Sequence, residues 1–303
     1  MKKGCMMGAA VWLKGLRIPL YWASGAPVLL TYALAFRSGK VLHPLMWLAG
    51  AVALFVFEVG VNLIAEVADK SEGVFITQAD TWIPTGPFLI DTTGLPAERI
   101  ARYAALVFTI AALLGFYLAF ETGFIVIMLI GVAGFLLTVV YAVPPFMLGA
   151  RGVGEPVPFI AFGPLPALAL YFLLTGELSA MAVIVTIPAS FWITAVRYAH
   201  HLPDRSSRRV SRFLHIYQWR IGNAFLMQTV FLVFGMVAIL PIYPLYGPFI
   251  LVPLAVSALL SYFPLRHTRS SAGNAVDISR GTKYYVALQL GGSVAMAAAL
   301  LLA

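Results

Sequence analysis

Charge is what this sequence has least of. Only 11% of its 303 residues are Asp, Glu, Lys or Arg, against 61% that are hydrophobic. A soluble chain carries roughly a quarter charged residues, so this one cannot cover its own surface in water. Its mean hydropathy is +0.92. The single cysteine, Cys5, excludes a disulfide framework and a cysteine-based metal cluster. Short alternating segments are missing too. That excludes a transmembrane β-barrel, whose strands alternate polar and apolar over about ten residues. In their place stands a series of solid apolar runs of about 20 residues, the length that crosses about 30 Å of hydrocarbon.

The fold class expected is therefore an all-α polytopic membrane protein. About nine spans are placed near residues 17–36, 45–68, 99–119, 122–142, 157–175, 178–200, 221–241, 245–264 and 284–302. They form one bundle with a polar cap on the cytoplasmic side. Residues 1–303 read as a single domain with two equivalent helical halves, about 1–142 and 143–303. The net charge of +8 does not call for nucleic acid, because excess Lys and Arg mark the cytoplasmic loops of membrane proteins. Connectors near 38–43, 120–122, 175–177 and 241–244 are short, and of the basic residues only Arg37 and Lys40 fall there. The long connectors, 70–98, 144–156, 201–220 and 265–283, carry most of the others. The expectation is a multi-pass protein of the cell membrane, N-terminus cytoplasmic and C-terminus outside. Lys2, Lys3, Lys14 and Arg17 precede the first span without a small-residue cleavage site, and so read as topology-setting charge.

Two polar clusters end apolar runs on the same expected side. In the first, Asn62, Glu66 and Asp69 have spacings of four and three, which puts them on one helical face. Three oxygen-bearing side chains there suit a hard cation such as Mg²⁺. A solvated helix end running into a charged loop fits the spacing equally well. In the second, Arg197, His200 and Asp204 share a face if the helix reaches that far, Pro203 ends or bends it nearby, and Arg205, Arg208, Arg209 and Arg212 follow. Guanidinium forks bind phosphate well, although an ordinary positive loop explains this cluster taken alone. Together the clusters suggest a lipid-linked diphosphate held with Mg²⁺ at the mouth of an apolar bundle, its tail among the helices. Glu58, one turn before Asn62, is the main intramembrane carboxylate. It either serves an acceptor or a proton, or pairs inside the bundle.

After the fourth run comes Tyr141-Ala-Val-Pro144-Pro145-Phe146-Met-Leu148. This segment resembles the Tyr-Ser-x-Pro-Pro segment of the UbiA superfamily of intramembrane aromatic prenyltransferases. Residues 154–176, with Phe162-Gly163-Pro164, Tyr171 and Thr175-Gly176, look like the fifth-helix region of its 1,4-dihydroxy-2-naphthoate (menaquinone) branch. Asn62-Leu63 and Gly86-Pro87 are similar to that branch as well. Departures are clear: Ala65 and Glu66 stand where the first motif has Asn and Asp, Gly73 where it has its last Asp, and His200 where the second motif has its first Asp. Asp80 is an alternative acid in the following loop, and Arg151 stands near the family's lysine, which aligns with Gly149.

The resemblance implies Mg²⁺-dependent transfer of a prenyl chain from an isoprenyl diphosphate, geranyl or longer, to an aromatic quinone-precursor acceptor. It implies Glu66, Asp69 and Asp204 as Mg²⁺ ligands. Asn62, Lys70, Arg151, Arg197, His200 and Arg208 would hold the diphosphate. Tyr141 would shield the allylic cation or orient the acceptor, acting with Asp69 and Asp204, and Tyr198 is a second aromatic for that role. The other readings are an ether-lipid transferase that uses a glycerol-phosphate acceptor, and a non-catalytic or transport protein.

Overall fold

The structure is a computed structural model that describes residues 8–71, 73, 83–84, 86–143, 146, 148–151, 154–202 and 219–303. Among them no strand occurs. The chain opens with a short helix α1 (Ala9–Gly15) and a 3₁₀ turn (Ile18–Tyr21). Then follow α2 (Trp22–Arg37), α3 (Pro44–Ser71), α4 (Phe88–Thr93), α5 (Ala97–Thr122) and α6 (Phe124–Ala142). The second part holds α7 (Leu148–Arg151), α8 (Pro156–Ala161), α9 (Pro164–Thr175) and α10 (Ala180–His201). The chain closes with α11 (Ala224–Val237), α12 (Leu251–Ser270), α13 (Ala275–Arg280) and α14 (Thr282–Leu302). This is an all-α polytopic membrane protein.

Among the described residues, eight helical stretches are long and apolar enough to cross a bilayer. One of them, Ala224–Ser270, covers 47 residues and includes two of the runs expected from the sequence. Short turns between Leu240 and Ile250 fold it back, so that α11 and α12 pack on each other. The span boundaries read from hydropathy agree with the others to within a few residues. The difference of substance is in the fifth run, which is broken at Phe162–Gly163. A Cβ on Gly163 would lie 1.7 Å from Ser190 Oγ, so only glycine lets this break approach α10 so closely.

Packing ranks the helices from centre to rim. α10 touches α2, α8, α9, α11 and α14, and it is the most buried span, at 67% of its most apolar window. α6 is at the other extreme, at 6%, and presents Ile125, Leu129 and Leu136 outward. In water such a face would be costly. In lipid it is the expected outer surface. The core includes Leu30, Leu174, Trp192, Ile193, Tyr285 and Leu300. Trp192 is fully buried between Gly235 of α11 and Gly292 of α14, where any side chain would strike its ring.

Candidate active site

The acidic face of α3 is closed by an arginine. Arg17, just before the first span, is 1% exposed. Its Nη2 lies 3.6 Å from Glu66 Oε1 and 3.5 Å from Asp69 Oδ2, and it donates a 2.8 Å hydrogen bond to the Gly86 carbonyl. Glu66 is itself fully buried, and its Oε2 accepts the Leu89 amide at 2.8 Å. α1 and α4 pack together over this point, with Gly15 leaving room for the Leu89 side chain. Lys70 pairs with Asp91 of α4 at 2.5 Å on the exposed rim. Asn62, one turn deeper and 2% exposed, lies against Tyr21.

Below this face Glu58 and Arg197 meet. Glu58 is 1% exposed and accepts a hydrogen bond from Ser24 Oγ through Oε2. Its Oε1 stands 3.7 Å from Arg197 Nη2. Arg197 in turn lies over the Phe162 ring, 5.0 Å from its centroid. The break between α8 and α9 is what puts that ring there. His200, one turn on, is fully buried edge-on to His201, with ring centroids 4.9 Å apart. Among the described residues neither ring nitrogen of His200 has a hydrogen-bond partner.

Glu58, Tyr141, Phe162 and Arg197 line one end of an apolar cavity of about 560 Å³ that runs between α3, α5, α6, α8 and α9. Phe57, Phe108, Phe116, Phe135, Leu170 and Leu173 are among its walls. Its size falls within the range of about 300–1,000 Å³ that buries whole small ligands. Tyr141, in the last turn of α6, is clasped by two glycines. A Cβ on Gly149 would come within 2.9 Å of its ring, and one on Gly154 within 3.0 Å. A small second cavity joins Tyr141 and Arg197 to Tyr198, His201 and Arg220. There Arg220 pairs with Glu155 and lies 4.6 Å over the Tyr198 ring, while the Tyr198 hydroxyl donates to the Arg220 carbonyl at 2.8 Å.

The structure thus places Asn62, Glu66, Asp69, Tyr141, Arg197 and His200 around one polar region. Lys70 sits at its rim and Arg151 is exposed on α7. Asp204, Arg208, Pro144, Pro145 and Asp80 lie outside the described residues. Hydropathy missed Arg17, Ser24, Glu155 and Arg220. The only signal for Arg17 was its place next to a span that ends beside an acidic face. As for Mg²⁺, the described residues hold no group of three or more acids, histidines or cysteines. What they do offer is two carboxylates converging on a single cationic nitrogen, Arg17 Nη2, with Glu66 Oε1 making no hydrogen bond. Carboxylate oxygens on one helical face are the ligand type Mg²⁺ takes, and the ion would share Glu66 and Asp69 with Arg17 or displace it from them.

Residues 24–285 match the sequence model of the UbiA prenyltransferase family. The chain is 28% identical over 167 residues to the 2-carboxy-1,4-naphthoquinone phytyltransferase of Synechocystis sp., which covers 54% of this chain and 50% of that protein. It is 27% identical over 207 residues to UbiA prenyltransferase domain-containing protein 1 of Rattus norvegicus, covering 66% of this chain and 58% of the relative. With the Homo sapiens protein of that name it shares 24% over 266 residues, 82% of this chain and 74% of the relative. The chain therefore spans only half of the first relative and less than two thirds of the second. The family match takes in every residue that lines the cavity, from Ser24 to Arg197, and this chain belongs to the UbiA prenyltransferase family.

Proposed function

We propose that this protein is an intramembrane prenyltransferase that moves a prenyl chain from an allylic diphosphate to an aromatic acceptor. The observation that carries the reading is the apolar cavity with one polar end, where Glu58, Tyr141 and Arg197 meet. A hydrocarbon tail suits the phenylalanine-lined part, and a diphosphate suits the polar region beyond that end, where Arg17, Asn62 and Lys70 lie on or beside the acidic face of α3. Glu66 and Asp69, with Asp204, are the residues that would hold Mg²⁺. The ion when bound supplies positive charge to the departing diphosphate.

The chain's own residues do the rest. Arg17, Lys70, Arg151 and Arg208 neutralise the leaving group, aided by Asn62 and His200, whereas Arg197, expected among them from the sequence, faces Glu58 in the cavity. The Tyr141 ring, clasped by Gly149 and Gly154, offers a π face to the allylic cation. The aromatic walls keep water away from that cation. The membrane orientation proposed has the N-terminus and the polar end on the cytoplasmic side, in line with the positive loops.

The test is transfer from radiolabelled geranyl and geranylgeranyl diphosphates by the detergent-solubilised protein, with aromatic and glycerol-phosphate acceptors. Magnesium is present or chelated, and Asp69→Ala and Asp204→Ala run alongside. Magnesium-dependent product on aromatic acceptors, lost in both variants, is the expected result. Transfer only to glycerol phosphate overturns the acceptor class. Failure to bind either diphosphate overturns the whole reading.

A further inference from the structure

Glu58 and Arg197 form an incomplete pair. Both are more than nine-tenths buried, yet 3.7 Å separates Glu58 Oε1 from Arg197 Nη2. That gap is too long for a hydrogen bond. Among the described residues Glu58 Oε1 and the Nε and Nη2 of Arg197 have no hydrogen-bond partner. Buried polar atoms are very rarely left so, and each costs about 1–3 kcal/mol when orphaned. The other contacts of the two side chains hold them in place rather than satisfy these atoms. Ser24 fixes Glu58 Oε2, and the Phe162 ring fixes the guanidinium plane. All four residues line the same cavity. The orphaned atoms are therefore one acceptor and two donors at the polar end of an apolar site.

A hydroxyl is the group that completes this arrangement. Its O–H donates to Glu58 Oε1 and its oxygen accepts from Arg197. A phosphate monoester would satisfy Arg197 but set its own negative charge against the Glu58 carboxylate. An ether or ketone would accept from Arg197 and leave Glu58 orphaned. We propose that Glu58 and Arg197 are the residues that hold the ring hydroxyl of the acceptor, and that Glu58 takes its proton. This rests on the prenyl-transfer reading and names the positioning residue and the base for it.

The step balances as follows. The hydroxyl proton passes to Glu58 while an electron pair of the ring carbon forms the bond to C1 of the prenyl chain. The C1–O bond breaks and its pair leaves with the diphosphate. The ring ketone so formed regains its hydroxyl when the proton on the newly bonded ring carbon moves to that oxygen. The net yield is prenylated acceptor, diphosphate and one proton on Glu58. Arg197 holds the hydroxyl oxygen beside the carboxylate that takes the proton.

The test separates this proposal from the reading beneath it by measuring binding and turnover apart. The purified protein, loaded with geranyl thiolodiphosphate, is titrated calorimetrically with 1-naphthol and with 1-methoxynaphthalene, which lacks the donor. The wild type is expected to bind the naphthol at least about tenfold more tightly, the scale of one hydrogen bond to a charged group. Glu58→Met should abolish that preference. Glu58→Gln keeps a carbonyl acceptor, so it should retain part of the preference but lower kcat by about 100-fold or more, as removal of a general base does. Ser24→Ala keeps the charge while freeing its position, and should raise the acceptor KM more than it lowers kcat. Binding of the thiolodiphosphate should stay unchanged in all three variants.

An unchanged naphthol preference in Glu58→Met overturns the proposal, as does full turnover in Glu58→Gln. Parallel loss of thiolodiphosphate binding and of melting temperature in every variant also overturns it, because Glu58 would then be structural. A wild type that prefers the naphthol through Glu58 but transfers nothing supports the recognition site and sinks the prenyl-transfer reading instead.

Discussion

Arg17 carries a left-handed backbone (φ 57°), a conformation uncommon outside glycine that costs about 1 kcal/mol or more. Its side chain repays this by neutralising Glu66 and Asp69 and bonding Gly86. Removing one partner of a buried ion pair typically costs about 3–5 kcal/mol, because the other is left charged and alone. Arg17→Gln is thus expected to lower the melting temperature in detergent clearly, and Arg17→Lys less. If the two carboxylates are also the cation site, added Mg²⁺ should raise the melting temperature of Arg17→Gln more than that of the wild type. An equal response in both would remove Glu66 and Asp69 from the metal site. Tyr141 gives a second expectation at this scale. Gly154→Ala places a methyl 3.0 Å from both its ring and the Gly149 backbone, so the clasp around the ring must loosen. Tyr141→Phe keeps the π face, so if the ring shields the cation it should transfer at close to the wild-type rate. Gly154→Ala should lower the rate more than Tyr141→Phe does, because it shifts the ring that must face the cation. Rates of transfer to one acceptor, measured for both variants, decide between a role for the ring and a role for the hydroxyl.

Between helices, steric fit replaces charge as the deciding quantity. Trp192 of α10 is wedged between Gly235 and Gly292, and a Cβ on Gly292 would lie 2.3 Å from its ring. Gly292→Ala should therefore destabilise by about 1–3 kcal/mol through overpacking, against the roughly 1 kcal/mol that alanine gains over glycine in a helix. Gly131 of α6 has nothing within 4 Å of where its Cβ would be, so Gly131→Ala should leave stability unchanged or raise it slightly. Thermal unfolding of the two variants side by side checks both signs. This contrast also marks what could be read without a structure. The spans were legible, because solid apolar runs have one stable fate in a bilayer. So was the acidic face of α3, because spacings of four and three fix a helical face whatever surrounds it. The Glu58–Arg197 gap, the Arg17 clamp and the Arg220–Glu155 pair were not. Each joins residues far apart in the chain, and hydropathy is silent on which helices become neighbours. The break at Phe162–Gly163 was hidden as well: the apolar run continues through it, and only the closeness of Ser190 on α10 explains the glycine.

At the scale of the whole molecule, the bundle keeps its tightest packing around α10 and leaves the cavity on the side of α3, α5 and α6. Those helices turn much of their surface to lipid, as the low burial of α5 (22%) and α6 (6%) shows. A hydrocarbon tail entering from the bilayer is thus stabilised by the cavity no more by hydrophobicity than by lipid itself; shape and contact must decide which tails fit. If this cavity takes the tail, its part away from Glu58 and Arg197 would act as the ruler for tail length. Gly115 and Gly131 line it, and a Cβ on either meets nothing within 4 Å. A leucine at either position starts from a Cβ with open space around it, and its side chain would take volume from the tail. Gly115→Leu and Gly131→Leu are expected to keep the melting temperature of the wild type. They should lower kcat/KM for geranylgeranyl diphosphate by about tenfold or more, the scale of losing contacts worth 1.4 kcal/mol, while geranyl diphosphate is nearly unaffected. Competition between the two labelled diphosphates in one reaction reads the ratio directly. A fall that is equal for both tails would place those glycines outside the tail path. A fall for geranyl alone would mean that the tail runs through the bundle in another direction.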